Sequence, residues 1–131
     1  MRKLVPLALL LLAAPLAVSA QQQPPGAALS HDVFFSLNDP SPAARAELVA
    51  ACRKHLTGHP GTLVFTVGVV ASELARPVND RDFDVALHIT FASRAAHDAY
   101  QEHARHKQFI AEQQKSWKKV RVFDSWVELV K

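Results

Sequence analysis

The chain has 131 residues, of which 49% are hydrophobic and 21% are charged, and this composition predicts one globular domain with a small core. Two of its 15 basic residues, Arg2 and Lys3, precede a long apolar run, and the others nearly balance the 12 acidic residues. The resulting small net charge gives no electrostatic reason to expect nucleic-acid binding. Cys52 is the single cysteine, which excludes an intramolecular disulfide, and we expect it to be a small buried side chain.

The first twenty residues predict a secretory signal peptide. After two basic residues, an apolar stretch runs to Val18, and small residues follow up to Ala20, where cleavage is expected. A retained anchor is the weaker alternative, since a membrane-spanning helix needs about 20 apolar residues. We therefore predict export to the periplasm or the medium, without membrane attachment after cleavage. Residues 21–30 are polar and proline-containing, which predicts a flexible linker to a domain at residues 31–129.

The first predicted strand is the segment HDVFFSL. His31, Val33, Phe35 and Leu37 fall on one of its faces, because successive side chains of a strand point to opposite sides. Aromatic residues occur on both faces, so we expect both faces of this strand to be covered.

A helix is predicted to follow this strand. Ser41 and Pro42 suit its N-cap and its first helical position, and Gly58 is placed to end it. His55 and His59 lie on either side of this glycine, and we expect both side chains to be exposed.

The second half of the domain predicts a hairpin, an interrupted helix and a last strand. GTLVFTVG and FDVALHITF both alternate apolar and other residues, which predicts two antiparallel strands. Ser93 is the expected N-cap of a second helical region, which we expect to break near His103. The inward stripe of this region comprises Ala96, Tyr100, His103, His106, Ile110, Gln113 and Trp117. VRVFDSWVEL predicts the closing strand.

The predicted order is β-α-β-β-α-β, which is typical of the α+β ferredoxin-like fold. In this fold a four-stranded antiparallel sheet is covered by helices on one face. The other face here would still carry phenylalanine and valine side chains, which is unusual for a surface in water. Pairing of two identical sheets would cover it, so we predict a homodimer.

The segment AYQEHARHKQF carries the residues with the most chemistry, Tyr100, His103 and His106. From spacing alone they are polar residues that satisfy one another in the core, a proton-transfer site, or half of a metal site. His97 could assist a metal site on the His-x-x-His pair, but the nearby carboxylate, Glu102, points elsewhere on the helix. We therefore predict no metal and no cofactor.

Several segments together resemble one family. HDVFFSL, GTLVFTVG, the stretch at 83–109 and the closing WKKVRVFDSW are similar to the stress-responsive A/B barrel (Dabb) domain over roughly residues 31–129. The resemblance implies a small dimeric α+β barrel, and many members have no known function. A plant polyketide cyclase of this family acts without a cofactor and has a tyrosine and a histidine that match Tyr100 and His106. His31, His103 and Asp124 also match residues of that enzyme.

Two functional hypotheses follow. We expect an apolar pocket between sheet and helices, whose mouth and walls include His31, Val33, Phe35, Tyr100, His103, His106 and Asp124. In the first hypothesis this pocket binds a small apolar molecule, without established chemistry. In the second it is the site of a cofactor-free lyase or cyclase acting on a small carbonyl compound, with Tyr100 and His106 as the acid–base pair. A protein without such a site would fill the space with Phe35, Phe65 and Phe109.

Overall fold

The computed structural model describes residues 22–130, and the predicted signal peptide at residues 1–20 lies outside this range. The secondary structure has the predicted order, and the second helical region consists of two helices and a short 3₁₀ turn. The elements are β1 (Ala28–Leu37), α1 (Pro42–Leu56), β2 (Thr62–Val69), β3 (Val85–Phe91), α2 (Arg94–Glu102), α3 (Ala104–Gln113), the 3₁₀ turn (Gln114–Ser116) and β4 (Trp117–Val127). The predicted α+β ferredoxin-like fold is confirmed. Within residues 22–130, no helix has the length and hydropathy that crossing a membrane would require.

The four strands form one antiparallel sheet in the order β2-β3-β1-β4. The predicted β2–β3 hairpin is confirmed. In β1, His31 lies opposite Ile89 on one side and Asp124 on the other. Residues in register share a face of the sheet, so the central strand and the edge strand β4 bring His31 and Asp124 together beneath the helices.

The helix starts follow from local capping. The Ser41 hydroxyl accepts a hydrogen bond from the Ala44 N–H at 3.2 Å, and Pro42 occupies the first turn of α1. The Ser93 hydroxyl accepts from the Ala96 N–H at 3.1 Å. Both predicted N-caps are therefore confirmed, and each satisfies a backbone donor that the first turn of a helix cannot satisfy itself.

The first strand begins earlier than predicted. β1 starts at Ala28, so it includes the last three residues of the predicted linker at 21–30. Ala28 and Leu29 are buried, and they pair with Val127 and Trp126 of β4. The alanines at this point show no apolar alternation that would predict a strand. The strand nevertheless extends to Ala28, because β4 is long enough to provide hydrogen-bonding partners.

The end of α1 is buried, which makes the prediction of exposed His55 and His59 wrong. Only 3% of His55 and 4% of His59 is exposed. The His55 ring packs against Phe109 of α3, with centroids 6.4 Å apart, and its Nε2 lies 3.0 Å from a Glu112 carboxylate oxygen. The His59 Nε2–H donates to the His55 carbonyl oxygen at 2.9 Å. Packing of α1 on α3 covers the His55 ring, whereas the rings of Tyr100 and His103 pack against His59. A local sequence pattern does not show these long-range contacts.

Cys52 is fully buried on α1, as predicted for a small apolar side chain. Burial raises the pKa of its thiol to about 12, because a thiolate would lose its hydration there. The thiol therefore stays protonated at neutral pH and is unsuited to nucleophilic chemistry.

The face of the sheet opposite the helices carries a cluster of aromatic rings, which we call the open face. Phe34 contacts Phe83 and Phe123 with ring centroids 5.0 and 5.7 Å apart. Strand alternation would place Phe83 on the helix side, but β3 begins only at Val85, so the alternation does not extend to it. Phe123 is 53% exposed in the single chain, which is consistent with an apolar surface that needs a partner.

Candidate functional site

The helical region breaks at His103, as predicted. His103 has extended backbone angles and separates α2 from α3. Its N–H donates to the Tyr100 carbonyl oxygen, and its Nδ1 accepts from the Arg105 N–H at 3.1 Å. The side chain is exposed and does not line the cavity described below, so the prediction that His103 contacts a ligand is not supported.

This break allows Tyr100 and His106 to meet. On a continuous helix, residues six apart differ by about 120° in direction and about 9 Å in rise. In the structure the centroids of the two rings are 4.5 Å apart. Both side chains are buried, with Tyr100 2% and His106 8% exposed. The two candidate catalytic residues are therefore neighbours, although the sequence places them on different sides of an ideal helix.

The hydrogen bonding of His106 fixes which of its nitrogens can accept a proton. Its Nδ1 lies 3.1 Å from the Gln101 carbonyl oxygen, which can only accept, so Nδ1 carries the hydrogen. Nε2 then has a free lone pair in the neutral ring. Burial lowers the pKa of His106, and the neighbouring His31, His59 and His97 lower it further when charged. The ring is therefore neutral at pH 7, as a general base must be.

The Tyr100 hydroxyl is a hydrogen-bond donor, which complements the acceptor nitrogen of His106. Burial strongly raises the pKa of its phenol, because the phenolate would lose its hydration. The hydroxyl therefore stays protonated and can donate a hydrogen bond to an oxygen on which negative charge develops. The pair combines a neutral acceptor with a neutral donor, which suits binding of an uncharged polar group.

His31 and Asp124 form a second pair beside the first. The Nδ1 of His31 lies 2.6 Å from a carboxylate oxygen of Asp124, and a carboxylate accepts, so Nδ1 donates. The His31 ring is buried and stands edge-on to Tyr100, with centroids 6.1 Å apart. Asp124 is half exposed, because β4 extends beyond the cover of the helices. Asp124 therefore holds the His31 ring in one orientation.

A cavity of about 350 Å³ lies between the helix-facing side of the sheet and α2 and α3. Six of the seven predicted site residues line it, and these are His31, Val33, Phe35, Tyr100, His106 and Asp124. Phe35 and Phe109 form part of its wall rather than filling it. A larger depression of about 690 Å³ near the β2–β3 loop has many charged residues and none of these side chains. We therefore place the candidate site in the smaller, more apolar cavity.

Two polar residues of the cavity were not among the predicted site residues. The Nδ1 of His97 donates to an Asp98 carboxylate oxygen at 3.1 Å, and its Nε2 accepts from the Gln101 side-chain amide at 3.1 Å. His97 and Gln101 both line the cavity. His97 precedes Tyr100 by three residues on α2, and this spacing on one helix face could have identified it.

Residues 29–127 match the Stress Responsive A/B Barrel Domain (Dabb). The chain belongs to this family. The match agrees with a strand that begins before His31, as the structure shows. No curated protein sequence shows significant similarity to the chain.

Solved structures of the same fold are more distant in sequence. A Dabb protein from Mesorhizobium loti is 22% identical, with a TM-score of 0.64, and the match covers 79% of this chain and 99% of that one. A dimeric ferredoxin-like protein of unknown function from Thermobifida fusca is 17% identical, with a TM-score of 0.63, covering 79% and 93%. Hydroxynitrile lyase from Passiflora edulis is 20% identical, with a TM-score of 0.64, covering 82% and 99%. At these identities the similarity shows the fold alone.

Acidification should destabilise this Dabb domain through its buried histidines. Burial lowers the pKa of both His106 and His59 below the ordinary value. Just below about pH 6.5 the unfolded chain therefore binds protons that the folded chain does not, so the free energy of unfolding falls as the pH decreases. Each group contributes at most about 1.4 kcal/mol per pH unit.

Urea unfolding at pH 7, 6 and 5 would measure this effect. His106→Gln should reduce the pH dependence, because it removes one of the two buried histidines whose pKa is lowered. Equal stability of the unmodified protein at all three pH values would contradict the prediction.

Proposed function

We propose that this Dabb-domain protein is exported, forms a homodimer and binds a small, mainly apolar molecule in the cavity between its sheet and helices. Export is supported by the basic, apolar and small-residue segments of residues 1–20. The homodimer is supported by the aromatic open face and by a solved structure of this fold that is described as dimeric.

The observation that carries the ligand proposal is an open apolar cavity with polar groups at one end. A volume of about 350 Å³ lies within the usual range of ligand pockets, about 300–1,000 Å³. Phe35, Phe109 and Trp117 supply aromatic walls, whereas Tyr100 and His106 supply one donor and one acceptor. Such a lining favours a ligand with an aromatic or alkyl body and one uncharged oxygen group.

A thermal-shift screen of the purified protein with small aromatic and aliphatic carbonyl compounds tests this proposal. A compound at a concentration of 100 times its Kd should stabilise the protein by about 2.7 kcal/mol. His106→Ala should remove the shift, since it deletes the acceptor. The control is His103→Asn, which changes an exposed histidine outside the cavity, keeps a capping oxygen for α3 and should retain the full shift. If His106→Ala only lowers the melting temperature and no compound shifts either protein, the residues serve packing alone.

The second candidate function is a cofactor-free lyase or cyclase acting on a small carbonyl compound. His106 favours it, because a neutral imidazole with a free Nε2 can remove a proton from the carbon beside a carbonyl. The electron pair then moves to the carbonyl oxygen, and the Tyr100 hydroxyl stabilises the charge by donating a hydrogen bond. The Passiflora edulis lyase supports this candidate to the extent that a lyase has this fold.

Ligands found by the thermal-shift screen distinguish the two candidates. With an enzyme, NMR in D₂O should show deuterium exchange at the carbon beside the carbonyl, and Tyr100→Phe should slow exchange more than it weakens binding. With a binding protein, exchange should stay at the uncatalysed rate although the ligand binds.

A further inference from the structure

A cluster of potential metal ligands lies at the edge of the cavity, away from the His-x-x-His pair. His31 on β1, His97 on α2 and Asp124 on β4 each offer one ligating atom, and these atoms lie within 4.8 Å of one another. The rings of His31 and His97 are in contact, with centroids 5.1 Å apart. Three residues that are far apart in sequence thus converge through the sheet register and the packing of α2.

The donor set is chemically suited to a transition-metal ion. Two imidazoles and one carboxylate are a common three-ligand set for Zn²⁺ and for non-haem Fe²⁺, with the remaining positions open to water or substrate. His97 already donates its Nδ1–H to the Asp98 carboxylate, as ligating histidines usually do with their second nitrogen. Among residues 22–130, its Nε2 has the Gln101 side-chain amide as its hydrogen-bond partner, which an ion would displace.

The cluster is accessible from solvent, and the cation beside it is already paired with a carboxylate. The side chains of His31 and His97 are 7% and 15% exposed, whereas Asp124 is 47% exposed. His97 and Asp124 line both the apolar cavity and a second depression of about 280 Å³ on the outer side. Arg94 also lines this second depression, and it is paired with Asp98 at 3.3 Å. An ion can therefore reach the cluster from solvent, and the cluster also borders the apolar cavity.

We propose that His31, His97 and Asp124 bind one divalent transition-metal ion of the zinc, cobalt or iron(II) class. The ion replaces the proton shared by the His31 Nδ1 and the Asp124 carboxylate, which lie 2.6 Å apart. Ligand distances of about 2.0–2.2 Å require these two atoms to separate by several tenths of an ångström. The exposed side chain of Asp124 can make this movement. The three side chains also line the apolar cavity, but all three ligating atoms come from the chain itself, so an ion needs no organic ligand to bind.

Co²⁺ is the probe for this site, because its visible absorption reports on the coordinating ligands. Untagged protein titrated with CoCl₂ should bind one Co²⁺ per chain and develop this absorption, and Zn²⁺ should displace it. His97→Gln and Asp124→Asn should each weaken binding by at least about tenfold, since each removes one of three ligands. Circular dichroism of both variants checks that the fold is retained.

Two controls separate this site from other histidines. His88→Gln alters a histidine that lies 2.7 Å from Asp32 on the open face, a pair of the same kind without a third donor among the described residues. His103→Asn alters the exposed histidine of the His-x-x-His pair and keeps a capping oxygen. Both should bind Co²⁺ as the unmodified protein does. Absence of one-to-one binding, full binding by His97→Gln, or a loss confined to His103→Asn would overturn the proposal. None of these results decides whether the apolar cavity binds an organic molecule, which the thermal-shift screen tests separately.

Discussion

Replacing Phe123 with aspartate should convert the protein from a dimer into a monomer. Phe123 is 53% exposed on the open face and packs edge-on against Phe34, so it lies in the apolar surface that a second copy would cover. An aspartate at this position would bury an unpaired charge in the interface, which is strongly unfavourable. Loss of a hot-spot aromatic residue at the centre of an interface costs about 2 kcal/mol or more, and with Phe123 in that role we expect at least about 30-fold weaker association.

Size-exclusion chromatography with light scattering over a range of protein concentrations measures this effect. The matched control is Val78→Asp, which introduces the same charge at an 83% exposed position in the β2–β3 loop and should remain dimeric. Circular dichroism should show that both variants stay folded. A monomeric mass for the unmodified protein would refute the dimer itself.

Replacing Phe91 with alanine should cause the largest loss of stability. Phe91 is fully buried at the end of β3, and its ring contacts those of Tyr100 and His97, with centroids 5.1 and 5.6 Å apart. Removing it leaves a cavity beneath the candidate site, and such changes typically cost about 3–5 kcal/mol. Because the domain is small, this loss is a large share of its total free energy of unfolding.

Denaturant unfolding at matched protein concentrations measures the loss, since the proposed dimer would make apparent stability depend on concentration. Leu63→Ala is the control, because Leu63 lies on β2 and is 50% exposed, and it should cost less than half as much. If the two variants were equally stable, Phe91 would not have the central place in the core that its burial indicates.

The alternation of apolar residues was sufficient to predict the sheet, because one face is buried under helices. Val33 and Phe35 on β1 and Leu87 on β3 all point into the core as their spacing predicts. The alternation did not predict where β1 begins, because the start of that strand depends on the length of the strand that pairs with it. The first strand begins at Ala28 because β4 is long enough to pair with it, and Ala28 itself carries no signal of this.

Only part of the candidate site could be predicted. Tyr100 and His106 were identified by residue type and by the family resemblance. Their contact depends on the break at His103, and the spacing of apolar residues does not specify the angle between α2 and α3 at this break. His59 was expected at the surface and instead packs against Tyr100, with ring centroids 4.9 Å apart. Polar residues near a helix end become buried when another element covers that end, and this depends on tertiary packing.

The position of β4 at the edge of the sheet has a consequence for solubility. The strand order leaves the outer backbone groups of β4 without a partner strand among residues 22–130, and such an edge can recruit strands of other molecules. Lys118 and Lys119 are exposed near its start, and Arg121 follows two residues later. Charges on an edge strand oppose indefinite strand addition between molecules. We therefore expect the lysines at the start of β4 to disfavour association of molecules through this edge, while the open face stays available for the proposed pairing of two copies.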